Sequence, residues 1–242
     1  MGFIKFGFTG CLLSFCMGFL ASGQSVHLSA IEPTIGLEGK INSRLDYFFQ
    51  YTIENQFNEE QLEDAFFENG IRNMDFQAGV STDFTTDLGG SFSFTFRFRE
   101  PFGGGMTTEL RPIQQLTLAT QFFKYRFRQR LRADERFIQR KPGSRHEFDL
   151  RLRYRLALDF PLQGDRLDNK EYYLNTNVEF LYTPTENDAW FNRGYRGYSG
   201  LGYQFNDRYK LEIGGAFETA RISRELGREN AWLVKMVWAI RI

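Results

Sequence analysis

The chain has 242 residues, of which 42% are hydrophobic, 25% charged and 17% aromatic, with 30 Lys and Arg against 30 Asp and Glu. That length suits one domain, and a large all-β unit fits as well as two smaller ones. A formal charge of zero offers nucleic acid no basic footprint, and the 6 Pro are too few for a disordered linker. Only 2 His and 2 Cys are available, too few for a convincing metal-ligand set.

Residues 1–23 carry one positive charge at Lys5, an apolar run from Phe6 to Leu20, and then the small residues Ala21, Ser22 and Gly23. This order predicts a secretory signal peptide, removed before Gln24. The run is shorter than the roughly 20 residues that a membrane-spanning helix needs. Phe15 immediately before Cys16 does not fit a lipoprotein cleavage site. Removal takes Cys11 and Cys16 with it, so no disulfide framework or thiol chemistry remains from Gln24 onward.

From there on the dominant signal is strict alternation, the mark of strands with two unlike faces. Strands are expected near 43–54, 72–83, 89–99, 111–121, 123–136, 146–160, 170–183, 194–206, 208–221 and 230–242. Phe92, Phe94, Phe96 and Phe98 share one face, with Ser93, Thr95, Arg97 and Arg99 on the other. In 123–136, Tyr125, Phe127, Leu131 and Ala133 alternate with Arg126, Arg128, Arg130, Arg132 and Asp134. In 146–160, Phe148, Leu150, Leu152 and Tyr154 alternate with Asp149, Arg151, Arg153 and Arg155, and Asp159 follows in the polar phase. The closing strand sets Val234, Met236, Trp238, Ile240 and Ile242 opposite Lys235, Val237, Ala239 and Arg241.

A soluble β-sandwich also alternates, with its apolar face turned inward. These strands are longer than the 5–6 residues typical of soluble sheets and reach the roughly 9–11 that cross a bilayer. The expected fold is therefore an all-β, antiparallel transmembrane barrel occupying 24–242. Connections alternate between short and long, as periplasmic turns and outer loops do, and bacterial barrels close with an even strand number. Ten strands satisfy these conditions and leave both termini in the periplasm. Ile31–Ile41 is left over, and it either joins a further strand to give twelve or packs in the lumen. Tyr47, Tyr51, Tyr154, Tyr182, Tyr195, Tyr203, Trp232 and Trp238 are candidates for the aromatic girdles.

The loop Asn55–Ile71 carries a helix signal near 58–69. Asn58 is placed to cap, Gln61 follows three residues later, and Gly70 closes. Its acidic residues read as a solvated face. Gly103, Gly104 and Gly105 lie between strands and open no helix, so they form a flexible loop rather than a phosphate cradle. Nothing implies a cofactor.

The constellation of note is the polar phase of the strands. Arg97, Arg126, Arg128, Arg130, Arg132, Arg151, Arg153 and Arg155 form a candidate lumen wall, extended by Arg99 and Arg241. Neighbouring like charges repel unless they are answered. The acids in phase are Glu54, Asp75, Asp83, Glu147, Asp149, Glu179, Glu212 and Glu218. Two readings follow: Arg–carboxylate pairs bracing a narrow barrel, or an arginine-lined path for a small anionic solute. The expected function is non-catalytic, structural or passive anion transport, with outer-membrane lipids and the barrel assembly machinery as partners. Trp238, Ile240 and Ile242 are expected to face lipid and to serve that assembly. The alternative is a lipid hydrolase using Ser144 and His146, which stand two residues apart. A hydroxyl nucleophile needs a base within hydrogen-bond reach and a third group to orient it, and no motif supplies these.

Glu109, Arg111, Gln114 and Gln115 form a segment that resembles the E-x-R-x-x-Q-Q motif of the outer-membrane barrels catalogued as domain of unknown function 2490. The run Arg128–Arg132, closing with Arg136 and Phe137, resembles an arginine-rich strand of the same family. Arg151–Arg155 and the 196–203 segment extend the likeness. The resemblance implies an outer-membrane location and supplies no activity.

Overall fold

The computed structural model describes residues 25–62, 65–67, 69–184, 194–223 and 227–242. The expected signal peptide lies outside these residues. The described elements are strands: β1 (Ser25–Lys40), β2 (Leu45–Gln56), β3 (Glu60–Leu62), β4 (Ala65–Phe67), β5 (Gly70–Asp83), β6 (Leu88–Arg99), β7 (Thr107–Phe122), β8 (Tyr125–Gln139), β9 (His146–Pro161), β10 (Glu171–Tyr182), β11 (Gly194–Gln204), β12 (Tyr209–Ser223) and β13 (Gly227–Arg241). All but β3 and β4 join into one closed barrel in the order β1-β13-β12-β11-β10-β9-β8-β7-β6-β5-β2.

The barrel thus has eleven strands, neither ten nor twelve. The leftover segment Ile31–Ile41 falls almost wholly within β1, which pairs antiparallel with β2 and parallel with β13. An even count follows only when every neighbouring pair is antiparallel, and one parallel seam removes that constraint. The seam also sends the two chain ends apart, because β1 and β13 run the same way: Ser25 stands beside Arg228 and Glu38 beside Arg241. The first and last described strands therefore do not begin and end at one rim, as ten strands would have them.

Two prolines interrupt the ladders where their missing N–H requires it. The β1–β2 register skips Glu32 and Pro33, and the β7–β8 register skips Arg111 and Pro112.

The expected helix near 58–69 is replaced by the short hairpin β3–β4 among the described residues. Asn58 does not cap. Its Oδ1 accepts from the Ser29 N–H at 2.7 Å and its Nδ2 donates to the His27 carbonyl at 2.6 Å. With both ends of its amide committed to the β1 backbone, Asn58 continues the sheet instead of starting a helix.

Each strand keeps one face outward and one inward. The outer face is apolar and exposed, with Phe94 at 48% and Leu131 at 54%. Near one rim, where the short connections lie, Tyr172 packs on Tyr203 at 4.6 Å. Toward the other, the loop end, Tyr195 at the start of β11 packs on Phe217 at 6.0 Å. Tyr51 and Tyr154 depart from the expected girdles, since they sit near the middle of β2 and β9. There Tyr51 stacks on Phe76, and Tyr154 donates to Gln129 on the outer surface.

Candidate functional site

The inner face of β6 to β11 carries the arginine wall, and the alternation of the strands is what gathers it. In the β8–β9 register Arg130 lies opposite Arg155 and Arg132 opposite Arg153. Like charges set directly across a ladder destabilise it unless answered. Two carboxylates with no solvent exposure answer most of them.

Glu109, on β7, accepts from Arg99 at 2.7 Å, from Arg111 at 2.8 Å and from Arg136 at 2.6 Å. Its side chain is 0% exposed. Arg136 also donates to Asp149 at 3.0 Å, tying β7 to β9 through β8. Glu179, on β10, is likewise 0% exposed and meets Arg130, Arg153, Arg155 and Arg196. Arg153 joins Glu179 to Asp134, which also binds Arg132. Arg196 joins Glu179 to Glu218, and Lys235 joins Glu218 to Glu32 on β1. The result is a belt of ion pairs crossing β8 to β13 and returning to β1.

Most of the expected wall enters this system. Arg97 makes a two-pronged contact with Asp75 at 2.6 and 2.5 Å, and Arg128 reaches Asp159 at 2.8 Å. Arg126 is exposed near the β7–β8 turn, and no ion pair includes it among the described residues. Arg151 also stands outside the pairs. Arg241 binds Glu38 at the exposed rim rather than in the lumen. Of the expected acids, Glu147 pairs with Arg140 at the loop end, Asp83 is exposed near the turns, and Glu212 accepts from the Tyr173 hydroxyl at 3.0 Å. Glu109, Asp134, Asp159, Glu32 and Glu229 are carboxylates that the list of expected acids lacks.

An apolar patch lies on the inner wall toward the loop end, on three adjacent strands. Val26, Leu28 and Ala30 of β1 pack inward with Ala216, Ala231 and Leu233. The belt lines a cavity of about 590 Å³ that extends toward the turn end, where Glu38, Ser81 and Asp83 border it. Tyr173 and Tyr198 lie along the inner wall against glycine. A Cβ on Gly202 would overlap the Tyr173 ring, and one on Gly200 would overlap the Tyr198 hydroxyl.

Ser144 and His146 are not brought together. The Ser144 hydroxyl accepts from the Lys141 N–H at 3.2 Å and donates to the Arg145 carbonyl, whereas His146 Nε2 is 3.1 Å from the Thr108 hydroxyl. No group of three or more His, Cys, Asp or Glu able to hold a metal occurs among the described residues.

A family model described as "Protein of unknown function (DUF2490)" matches residues 33–221, which include both buried carboxylate hubs. No curated protein matches the chain.

Proposed function

The chain belongs to the DUF2490 family, and from that premise we propose an outer-membrane β-barrel without catalytic activity whose arginine wall is braced by carboxylates. One contrast carries this reading. Glu109 and Glu179 are wholly shut from solvent on the inner face, while Phe92, Phe94 and Phe96 stand exposed on the outer one. A protein surrounded by water buries its phenylalanines and solvates its charges. A hydrocarbon surround reverses that preference, provided that the strands close and leave no edge. The signal peptide expected over residues 1–23 provides export across the inner membrane, and outer-membrane lipids and the assembly machinery are the partners this location requires.

The lumen favours a structural role over conduction. Most of its charges are spent on one another, in ion pairs that run from strand to strand around the inner wall. The protein should fractionate with outer membranes and migrate differently in heated and unheated gel samples. In planar bilayers it should carry no steady current. Recovery as a soluble monomer without detergent would overturn the membrane reading, and a steady anion-selective current would replace bracing by transport.

A further inference from the structure

The belt is not electrically complete. On β8 and β9, Arg130, Arg132, Arg153 and Arg155 share two carboxylates, Asp134 and Glu179. Arg130 and Arg155 share one oxygen of Glu179, at 2.5 and 3.2 Å. Arg151 receives nothing: among the described residues it makes no ion pair, and its buried Nε has no hydrogen-bond partner. Asp134 is its register partner but is taken by Arg132 and Arg153. The charged groups acting most strongly on Arg151 are other guanidinium groups, those of Arg136, Arg111, Arg196 and Arg153.

A second orphan lies in the same cavity. The Thr95 hydroxyl is buried without a hydrogen-bond partner, and Thr95 stands opposite Arg111 in the β6–β7 register. Thr95, Arg111, Arg151 and Arg153 all line the space that reaches the turn end. A buried polar atom without a partner costs free energy comparable to a lost hydrogen bond, and Arg151, half-buried with its Nε fully so, adds a charge that no carboxylate answers. Guanidinium presents its donors in a planar fork that fits the oxygens of a phosphate, and a hydroxyl can add one further donor.

We propose that the lumen contains an oxyanion site built on Arg151, flanked by Arg111, Arg153 and the Thr95 hydroxyl, which takes a small soluble phosphate-class anion entering from the turn end. The site rests on the closed-barrel reading above and adds a ligand to it. Because it faces the lumen, phosphate on a lipid headgroup at the outer surface does not reach it.

The test titrates the purified full-length barrel in detergent with inorganic phosphate, holding ionic strength constant with chloride. Binding heat and the temperature at which the compact gel band is lost are the two readouts. Wild type should bind saturably and hold its compact band to higher temperature, whereas phosphatidylglycerol vesicles in place of phosphate should not protect it. Arg151→Gln should weaken binding at least about tenfold, the scale of one lost charge-assisted contact, while Arg145→Gln in an exposed loop should not. Thr95→Val removes no charge and should also weaken binding, which keeps the site testable should Arg151→Gln fail to fold. Absence of binding to a compact wild-type barrel, equal binding by Arg151→Gln, or protection by the vesicles would overturn the proposal. Failure to form a heat-modifiable barrel at all would instead count against the membrane reading.

Discussion

Arg153 Nε donates to Glu179 Oε2 at 3.1 Å across the β9–β10 pair, and the carboxylate that receives it has no exposure to solvent. The same guanidinium reaches Asp134 through Nη1 at 3.4 Å. Arg153 therefore links acids on two different strands, and the wall from β8 to β10 is joined by side chains along its inner face as well as through its backbone ladders. Burying an ion pair adds little net stability when compared with apolar packing, but removing one partner leaves a stranded charge. The belt makes the barrel sensitive to single substitutions for that reason.

Glu179→Gln should be strongly destabilising. It strips Arg130 and Arg155 of their one carboxylate and leaves Arg153 and Arg196 with one each. The expected cost is about 3–5 kcal/mol, the scale for breaking a buried pair. A fall in the temperature at which unheated samples lose their compact band would register it. If that temperature does not move, the pairs are not holding the wall.

Gly202→Val should interfere with β10–β11 packing, because the new Cβ would enter the Tyr173 ring. Tyr173 is nearly fully buried and donates to Glu212, so its ring has little freedom to turn aside. Overpacking of this kind costs about 1–3 kcal/mol. Tyr173→Ala in the same chain should relieve the clash, so the double variant should lose less than the two separate losses combined. Strict additivity would argue that the ring does not lie on the glycine.

The middle of the barrel was legible from period two alone, because Phe92 to Phe98 and Arg126 to Arg132 each keep one phase through a whole strand. The seam was not. β1 turns Val26, Leu28 and Ala30 inward, against the rule that apolar residues face out, and its partner β13 is two hundred residues away in the chain. An even strand number leaves no place for β1, although Ile31, Pro33 and Ile35 alternate within it. Of the site, the arginines could be read but their partners could not. Glu109 fell just outside the expected strand 111–121 although it opens the family motif, and Asp134 and Asp159 were in phase yet absent from the acids expected to answer the arginines. Which acid meets which arginine depends on strand tilt and stagger around the closed wall, and a single strand does not encode these.

The parallel seam can be tested by cross-linking. Ile35 stands beside Trp238, both on the outer face, and the chain from Gln24 onward has no native Cys to compete. Ile35→Cys/Trp238→Cys should oxidise to a disulfide that joins the first and last strands, since adjacent strands bring Cα atoms within bridging range. Tyr51→Cys/Trp238→Cys should not, because β1 separates the two. A ten-strand barrel closed between β2 and β13 would reverse this outcome.

Arg128→Ser and Arg153→Ser should differ in cost although both arginines were expected in the same wall. Arg128 binds Asp159 at 2.8 Å, but Asn175 also donates to that carboxylate at 2.6 Å, so the acid keeps a partner when the arginine is lost. Arg128 is also partly exposed, which lets water replace it. Arg153 has neither relief, since it is buried and serves Asp134 and Glu179 together. The unfolding temperature should therefore drop further for Arg153→Ser than for Arg128→Ser. The two pairs share no acid, so the double variant should lose roughly the sum of the separate losses. The ion pairs of Glu109 and Glu218 survive both changes, and the double variant should remain without steady current in a planar bilayer. Anion-selective conductance appearing in that variant would mean that the ion pairs of Arg128 and Arg153 are what block the lumen.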